Sequence, residues 1–293
     1  MNIEKYLNQL GKNSVEASSK IKSLKLEEKN SLLESISKSI IDDKSDIIKA
    51  NNIDVEEAKE KLSESMIDRL QLNEERIDGI IQSIETVIAL PDPIGNILFT
   101  NTRPNGMKVE RVSVPLGVVG IIYESRPNVT VDASILCLKS GNSVILRGGS
   151  ESFNSNLQLV KTMQRACSNI GLDKNIIQFI ETIDRSAVDY MLSQMSDYID
   201  VVVPRGGKGL VKKVQDSAKI PVIGHLDGIC HIYVDESSDP EAASKIVTNA
   251  KLRRTSICGA AETVLIDEKC IDSHLPKIIN DLKSGGCEIR GDE

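Results

Sequence analysis

The stretch "NAKLRRTSICGAAETVLID", residues 249–267, sets a thiol between fixed charge and small side chains. Arg253 and Arg254 precede Cys258, and a glycine and two alanines follow it. Nearby cations favour the thiolate, which is the nucleophilic form. The same arginines are equally suited to hold an anionic substrate. Against this stands the commoner setting of a lone cysteine, a small buried hydrophobe. The other five thiols have blander contexts. Cys137 and Cys167 fall in helix-like stretches, Cys230 borders a strand, and Cys270 and Cys287 lie in a charged final segment. The six cysteines are scattered without a CxxC pair, which points to free thiols in a reducing, cytoplasmic setting and to no metal site.

Two glycine loops carry a second kind of chemistry. "ILRGGSES" places Arg147, Gly148, Gly149, Ser150 and Glu151 after an apolar run, and "VVPRGGKGL" places Arg205, Gly206, Gly207, Lys208 and Gly209 after another. Glycine lets a ligand approach the backbone, Arg grips phosphate or ribose, and a helix N-terminus favours an anion. Glycines also serve tight turns alone. Two such loops, each with an arginine, favour a phosphate-bearing cofactor, although neither matches the GxGxxG fingerprint. In "YESRPNVTVD", Asn128 follows Arg126 and Pro127 just before a predicted helix. It reads as a helix N-cap or as an amide donor to an oxyanion.

These residues need a scaffold. Up to about residue 90, Leu and Ile recur three and four apart between Lys and Glu, the pattern of amphipathic helices. "RPNGMKVERVSV" predicts a hairpin turned at Asn105-Gly106. From Val112 onward, strand-like and helix-like stretches alternate four times: "VSVPLGVVGIIYE", "VTVDASILCLKSG", "NSVILRGG", "SNLQLVKTMQRACSNIG", "NIIQFIE", "RSAVDYMLSQM", "YIDVVVPRGG" and "KGLVKKVQDSA". "IPVIGHLDGICHIYVD" predicts two further short strands around a turn. The fold class is α/β: a doubly wound parallel sheet with N-terminal helices and the start of a second α/β domain. Ligands of such sheets bind beyond the carboxyl ends of the strands.

The bulk numbers agree with that class. Apolar residues make up 40% of 293, aromatics 3%, and Trp is absent. A net charge of −7, from 36 basic and 43 acidic residues, disfavours a nucleic-acid partner. No apolar run approaches the length of a membrane span, and the N-terminus shows no secretory pattern.

As a set, "YESRPNVT", "RGGSE", "PRGGKGL", "PVIGHLDGICHIYVDE" and the Cys258 segment resemble the gamma-glutamyl phosphate reductase family of the aldehyde dehydrogenase superfamily, in the family's order and along the whole chain. The resemblance implies NADPH-dependent reduction of L-glutamate 5-phosphate to L-glutamate 5-semialdehyde in proline biosynthesis. Cys258 matches the nucleophile and Asn128 the oxyanion donor. Arg147, Gly148, Gly149, Ser150, Glu151, Arg205, Gly206 and Gly207 match the cofactor loops. Arg126, Arg254 and His225 are substrate-binding candidates. In "HLDG", His225 stands where hydrolytic relatives carry a water-activating Glu, with Asp227 as an alternative acid or base and plain hydrogen bonding the simpler role for His225.

The resemblance further implies an NADP-binding domain over residues 1–228, with a hairpin arm near residues 97–112, and a catalytic domain beginning in residues 229–293. A homo-oligomer built on the arm and a glutamate 5-kinase partner are the associations it implies. The chain ends at "CEIRGDE", before a further segment that the family carries, so the expectation is a truncated chain. Two alternatives stand beside the reductase: an inactive nucleotide-binding fragment, and an acylating dehydrogenase that uses coenzyme A.

Overall fold

The spacing of Leu and Ile near the N-terminus resolves into five helices: α1 (Ile3–Ile21), α2 (Leu26–Asp42), α3 (Lys44–Ala58), α4 (Glu64–Leu70) and α5 (Glu74–Ala89). These belong to a computed structural model that describes residues 2–255 and 257–291. On α2 the stripe Leu32, Leu33, Ile36 and Ile40 is fully buried. The Asn2 and Asn73 side chains accept from Lys5 N at 2.9 Å and Arg76 N at 2.8 Å, capping α1 and α5. One cation lies on the buried side. Lys29, 2% exposed, meets the Asp92 carboxylate at 2.7 Å. Lys139, also buried, donates to Asn30 Oδ1 at 2.7 Å and to the Ile88 carbonyl at 2.9 Å. Lys29 therefore ties down the chain between α5 and the element that follows, and Lys139 ties the end of α5 to α2.

That element is an antiparallel hairpin, β1 (Ile97–Thr102) with β2 (Lys108–Val112). It turns at Asn105-Gly106 as the sequence predicts, with Gly106 at φ +85°, a conformation that favours glycine. Every residue of β2 is exposed.

The alternating stretches form β3 (Val118–Tyr123), α6 (Pro127–Lys139), β4 (Ser143–Arg147), α7 (Phe153–Asn169), β5 (Ile177–Phe179), α8 (Ser186–Gln194), β6 (Val201–Arg205) and α9 (Lys208–Ser217). The four strands are parallel in the order β5-β4-β3-β6. Successive side chains go to opposite faces: Val119, Ile121, Tyr123, Val144 and Leu146 join the core under α2, α5, α6 and α7, while Val118, Ile122 and Ile145 join a second core under α1, α8 and α9. The doubly wound expectation therefore holds.

Three details differ from the sequence reading. The strand expected from Val112 begins at Val118, because Pro115 has no N–H to pair and Gly117 takes φ +123°. "IPVIGHLDGICHIYVD" yields one strand, β7 (Cys230–Val234), plus an isolated bridge from Val222 to Val202. Pro221 sits beside that bridge and offers only its carbonyl, which accepts from Val202 N at 2.8 Å. The N-cap of α6 is Arg126 and not Asn128.

The chain divides into two compact units, the first ending at Gly224 and the second beginning at His225. The second holds β7, α10 (Pro240–Leu252), β8 (Ala261–Ile266) and α11 (Ile271–Ser284). β7 and β8 are parallel, and Val234, Val247, Ile278 and Leu282 form this unit's core. Among the described residues, no helix is long and apolar enough to cross a membrane.

Burial alone would raise the Asp92 carboxyl, but the Lys29 ammonium and the Ile94 N–H outweigh it and hold its pKa below the ordinary value. A depressed folded pKa gives stability that is present above the unfolded value and lost as pH falls through the folded one. Urea unfolding of the wild type and of Asp92→Asn from about pH 5 to about pH 2 checks this. The wild type is expected to lose more stability over that window than the variant; equal losses would remove Asp92 from the account.

Candidate active site

In the first unit the candidate residues gather where the strands end. β3 lies between β4 and β6, so the loop after β3 touches both glycine loops. On the β4 side, the Ser125 hydroxyl donates to Glu151 Oε2 at 2.6 Å and packs on Gly149. Burial would raise the Glu151 carboxyl, yet the Ser125 hydroxyl, nearby backbone and Arg147 hold it below its usual value. Arg147 is half-buried and donates to the Gly148 carbonyl at 2.6 Å and the Ile183 carbonyl at 3.3 Å. Its Nε is buried without a partner, and burial lowers its pKa against the opposing pull of Glu151.

The room over Gly148 is taken by the chain itself. A Cβ there would collide with the Asn156 amide and lie 3.1 Å from the Tyr123 ring. Tyr123 is fully buried, and burial pushes its hydroxyl pKa upward. That hydroxyl meets Thr130 Oγ1 at 2.7 Å, Thr130 donates to Asn156 Oδ1 at 2.8 Å, and Asn156 donates to Ser152 Oγ at 2.9 Å. The chain of bonds links β3, α6, α7 and the β4 loop.

On the β6 side, Glu124 N donates to the Arg205 carbonyl at 3.2 Å, and the Glu124 side chain covers Gly206. α9 then opens at Gly207 without a side-chain cap. Its first N–H groups have no partner within the helix. The start of α7 is different. Asp54, buried on α3, accepts from Asn154 N at 3.1 Å and Ser155 N at 2.7 Å, so a carboxylate of the chain already fills that N-terminus.

On α6, Pro127 occupies the first helical position and Arg126 becomes the N-cap. A proline has no N–H to spare and its fixed φ suits that position, which shifts Asn128 into the first turn. Its side-chain amide donates to Asp132 Oδ2 at 3.0 Å.

In the second unit Cys258 is exposed, as are Arg253, Arg254 and His225. The Cys137 and Cys167 thiols, by contrast, are pushed up to about 12 by burial. Of the small residues after Cys258, Ala260 and Ala261 are buried and only Gly259 is exposed. Gly228 lies against the Cys258 backbone so closely that a Cβ would collide with the Cys258 carbonyl oxygen. Cys230 Sγ donates to that same carbonyl at 3.4 Å.

Residues 4–287 match the aldehyde dehydrogenase family. A gamma-glutamyl phosphate reductase of Brucella suis biovar 1 is 46% identical over 290 residues, covering 99% of this chain and 69% of its own length. That of Bartonella tribocorum is 51% identical over 268 residues, covering 91% and 65%. The chain belongs to the aldehyde dehydrogenase family, on its gamma-glutamyl phosphate reductase branch. The crystal structure of the Thermotoga maritima gamma-glutamyl phosphate reductase superposes with a TM-score of 0.89 at 42% identity, covering 98% of this chain and 69% of that one. An engineered glycolyl-CoA reductase solved with NADP+ shares the fold, with a TM-score of 0.62 at 19% identity. The chain thus spans about two thirds of the length of its reductase relatives.

Within that family frame, the sequence reading missed Asp54, Asp132, the Tyr123 network and the Gly228 and Cys230 contacts. Asp132 alone left a signal, four residues after Asn128 on a predicted helix. The Asp54 and Gly228 contacts join residues far apart in sequence. Asp54→Ala is expected to destabilise the first unit by about 3 kcal/mol in urea unfolding, because buried N–H groups lose their acceptor. Gly228→Ala is expected to displace the Cys258 backbone and change the rate at which iodoacetamide alkylates Cys258 by about tenfold or more, since the Cβ has no room; an unchanged rate would contradict the contact.

Proposed function

We propose that the chain reduces L-glutamate 5-phosphate to L-glutamate 5-semialdehyde with release of phosphate, using NADPH, as a step of proline biosynthesis in the cytoplasm. The observation that carries this is 46% identity to a gamma-glutamyl phosphate reductase over 99% of the chain, together with an exposed cysteine in the matching segment.

The cofactor loops fit a phosphate-bearing cofactor in two respects: α9 opens at Gly207 without a side-chain cap, and a helix start favours an anion, while the Arg147 Nε is buried without a partner. In this reading Arg147, Gly148, Gly149, Ser150, Glu151, Arg205, Gly206 and Gly207 hold the cofactor. The Glu124 side chain lies against Gly206 and Gly207, so a cofactor phosphate there requires it to move aside.

The Cys258 thiolate attacks the acyl phosphate carbonyl. The Asn128 amide and the Cys258 N–H stabilise the oxyanion. Phosphate is a good leaving group and departs without a strong acid, leaving a thioester on Cys258. NADPH, when bound, supplies the hydride that such a thioester accepts. Collapse of the hemithioacetal frees the aldehyde and returns the thiol. His225, in place of a water-activating Glu, disfavours hydrolysis of the thioester. Arg126 and Arg254 are candidates for the substrate's anionic groups. The exposed hairpin β1–β2 is proposed as the surface for self-association, and a glutamate 5-kinase as a partner in handing over a labile acyl phosphate.

The test is phosphate-dependent reduction of NADP by glutamate-5-semialdehyde, run on this chain beside Cys258→Ala. Turnover that disappears in the variant is expected. Turnover that survives in Cys258→Ala would overturn the assignment of the nucleophile. NADP binding by a folded but silent chain would favour the second reading, a nucleotide-binding chain without turnover.

A further inference from the structure

The less buried side of α6 carries Asn128, Val129, Asp132, Ala133 and Leu136, with fully buried residues between them. This stripe has the i, i+1, i+4 rhythm of one helix face. Asn128 and Asp132 are its polar pair, and their side chains meet at 3.0 Å. Asp132 is half-buried, and burial raises its carboxyl pKa, with the Asn128 amide opposing the rise. A partly desolvated carboxylate gains little for the stability of the fold from a single amide donor. Its placement is better explained by what it does to the amide.

A primary amide has two ends, a carbonyl oxygen and an NH2 group, and it reverses by rotation about one bond. An oxyanion needs the NH2 end. We propose that Asp132 is the positioning residue for Asn128: its carboxylate takes one N–H of the amide, which excludes the reversed orientation and leaves the second N–H to face the oxyanion. An ionised carboxylate can only accept, so the reversed amide would set two lone-pair-bearing oxygens against each other. Residues four apart on one helix face are neighbours and can hold this geometry. Thr130 lies between them in sequence on the buried face, where the Tyr123 and Asn156 bonds fix the same turn. The inference rests on the oxyanion role proposed above for Asn128.

The test has a spectroscopic arm that does not depend on turnover. The chain is labelled with 15N-asparagine, and the Asn128 side-chain signals are assigned by their loss in Asn128→Asp. One of the two Asn128 amide protons is expected to exchange with solvent about tenfold or more slowly than in Asp132→Ala, where the acceptor is gone. Asp132→Asn keeps a carbonyl acceptor and is expected to retain most of the protection. In the turnover assay, Asp132→Ala is expected to lower kcat by about tenfold to a hundredfold with KM for glutamate-5-semialdehyde nearly unchanged, a smaller loss than removing an oxyanion donor outright. Asp132→Asn is expected to recover most of kcat. Equal exchange of the Asn128 amide in wild type and Asp132→Ala overturns the inference, whatever the activity. Released amide protons with full kcat in Asp132→Ala overturn it as well. A protected amide in a chain without turnover supports the positioning and refutes only the activity reading.

Discussion

The hydrogen-bonded chain Tyr123–Thr130–Asn156–Ser152 is the constraint on which the first unit's candidate site depends. It is buried, so each unmade bond would leave a desolvated polar group. Glycine at position 148 permits it, since no side chain separates the β4 loop from the Asn156 amide and the Tyr123 ring. The consequence reaches outward in both directions. Thr130 fixes the first turns of α6, which carry Asn128. Ser152 and Asn156 fix the loop that carries Arg147 and Glu151. A glycine that looks like an opening for a ligand is first of all a close approach between parts of the chain.

The starts of α7 and α9 differ in how the chain itself meets them. A helix start attracts an anion through its unpaired N–H groups and its dipole. At α7 that demand is met by Asp54, reaching across from α3. At α9 no side chain caps Gly207, the Glu124 side chain lies over Gly206, and the proposed function assigns that end to a phosphate of the cofactor. The N-terminal helices are therefore more than a cover for apolar surface. They supply Asp54 to α7 and, through Lys29, an anchor for Asp92 before the hairpin.

Much of this was legible in the sequence, for identifiable reasons. The alternation of β-branched runs with amphipathic runs gave the parallel sheet, and the glycine-arginine loops fell at its strand ends because tight turns must follow those strands. Asn105-Gly106 marked the hairpin through a local backbone requirement. What was not legible depends on contacts between distant positions. Nothing near Asp54 announces that it caps a helix a hundred residues away, and Gly228 gives no local sign that Cys258 will rest on it. The position of Asn128 failed for a different reason: proline's fit to the first helical position outweighed asparagine's preference for the cap. The small residues that follow Cys258 gave no sign that two of them, Ala260 and Ala261, would be buried in the second unit.

The proposed function requires the strand ends of the first unit to bind a nicotinamide dinucleotide phosphate. Hydrogen–deuterium exchange of the chain with and without saturating NADPH tests it most directly. The account predicts slowed exchange in peptides covering the loops after β3, β4 and β6, with the Asp54-capped start of α7 already slow without ligand. No protection in those three loops, or protection confined to other segments, would contradict it.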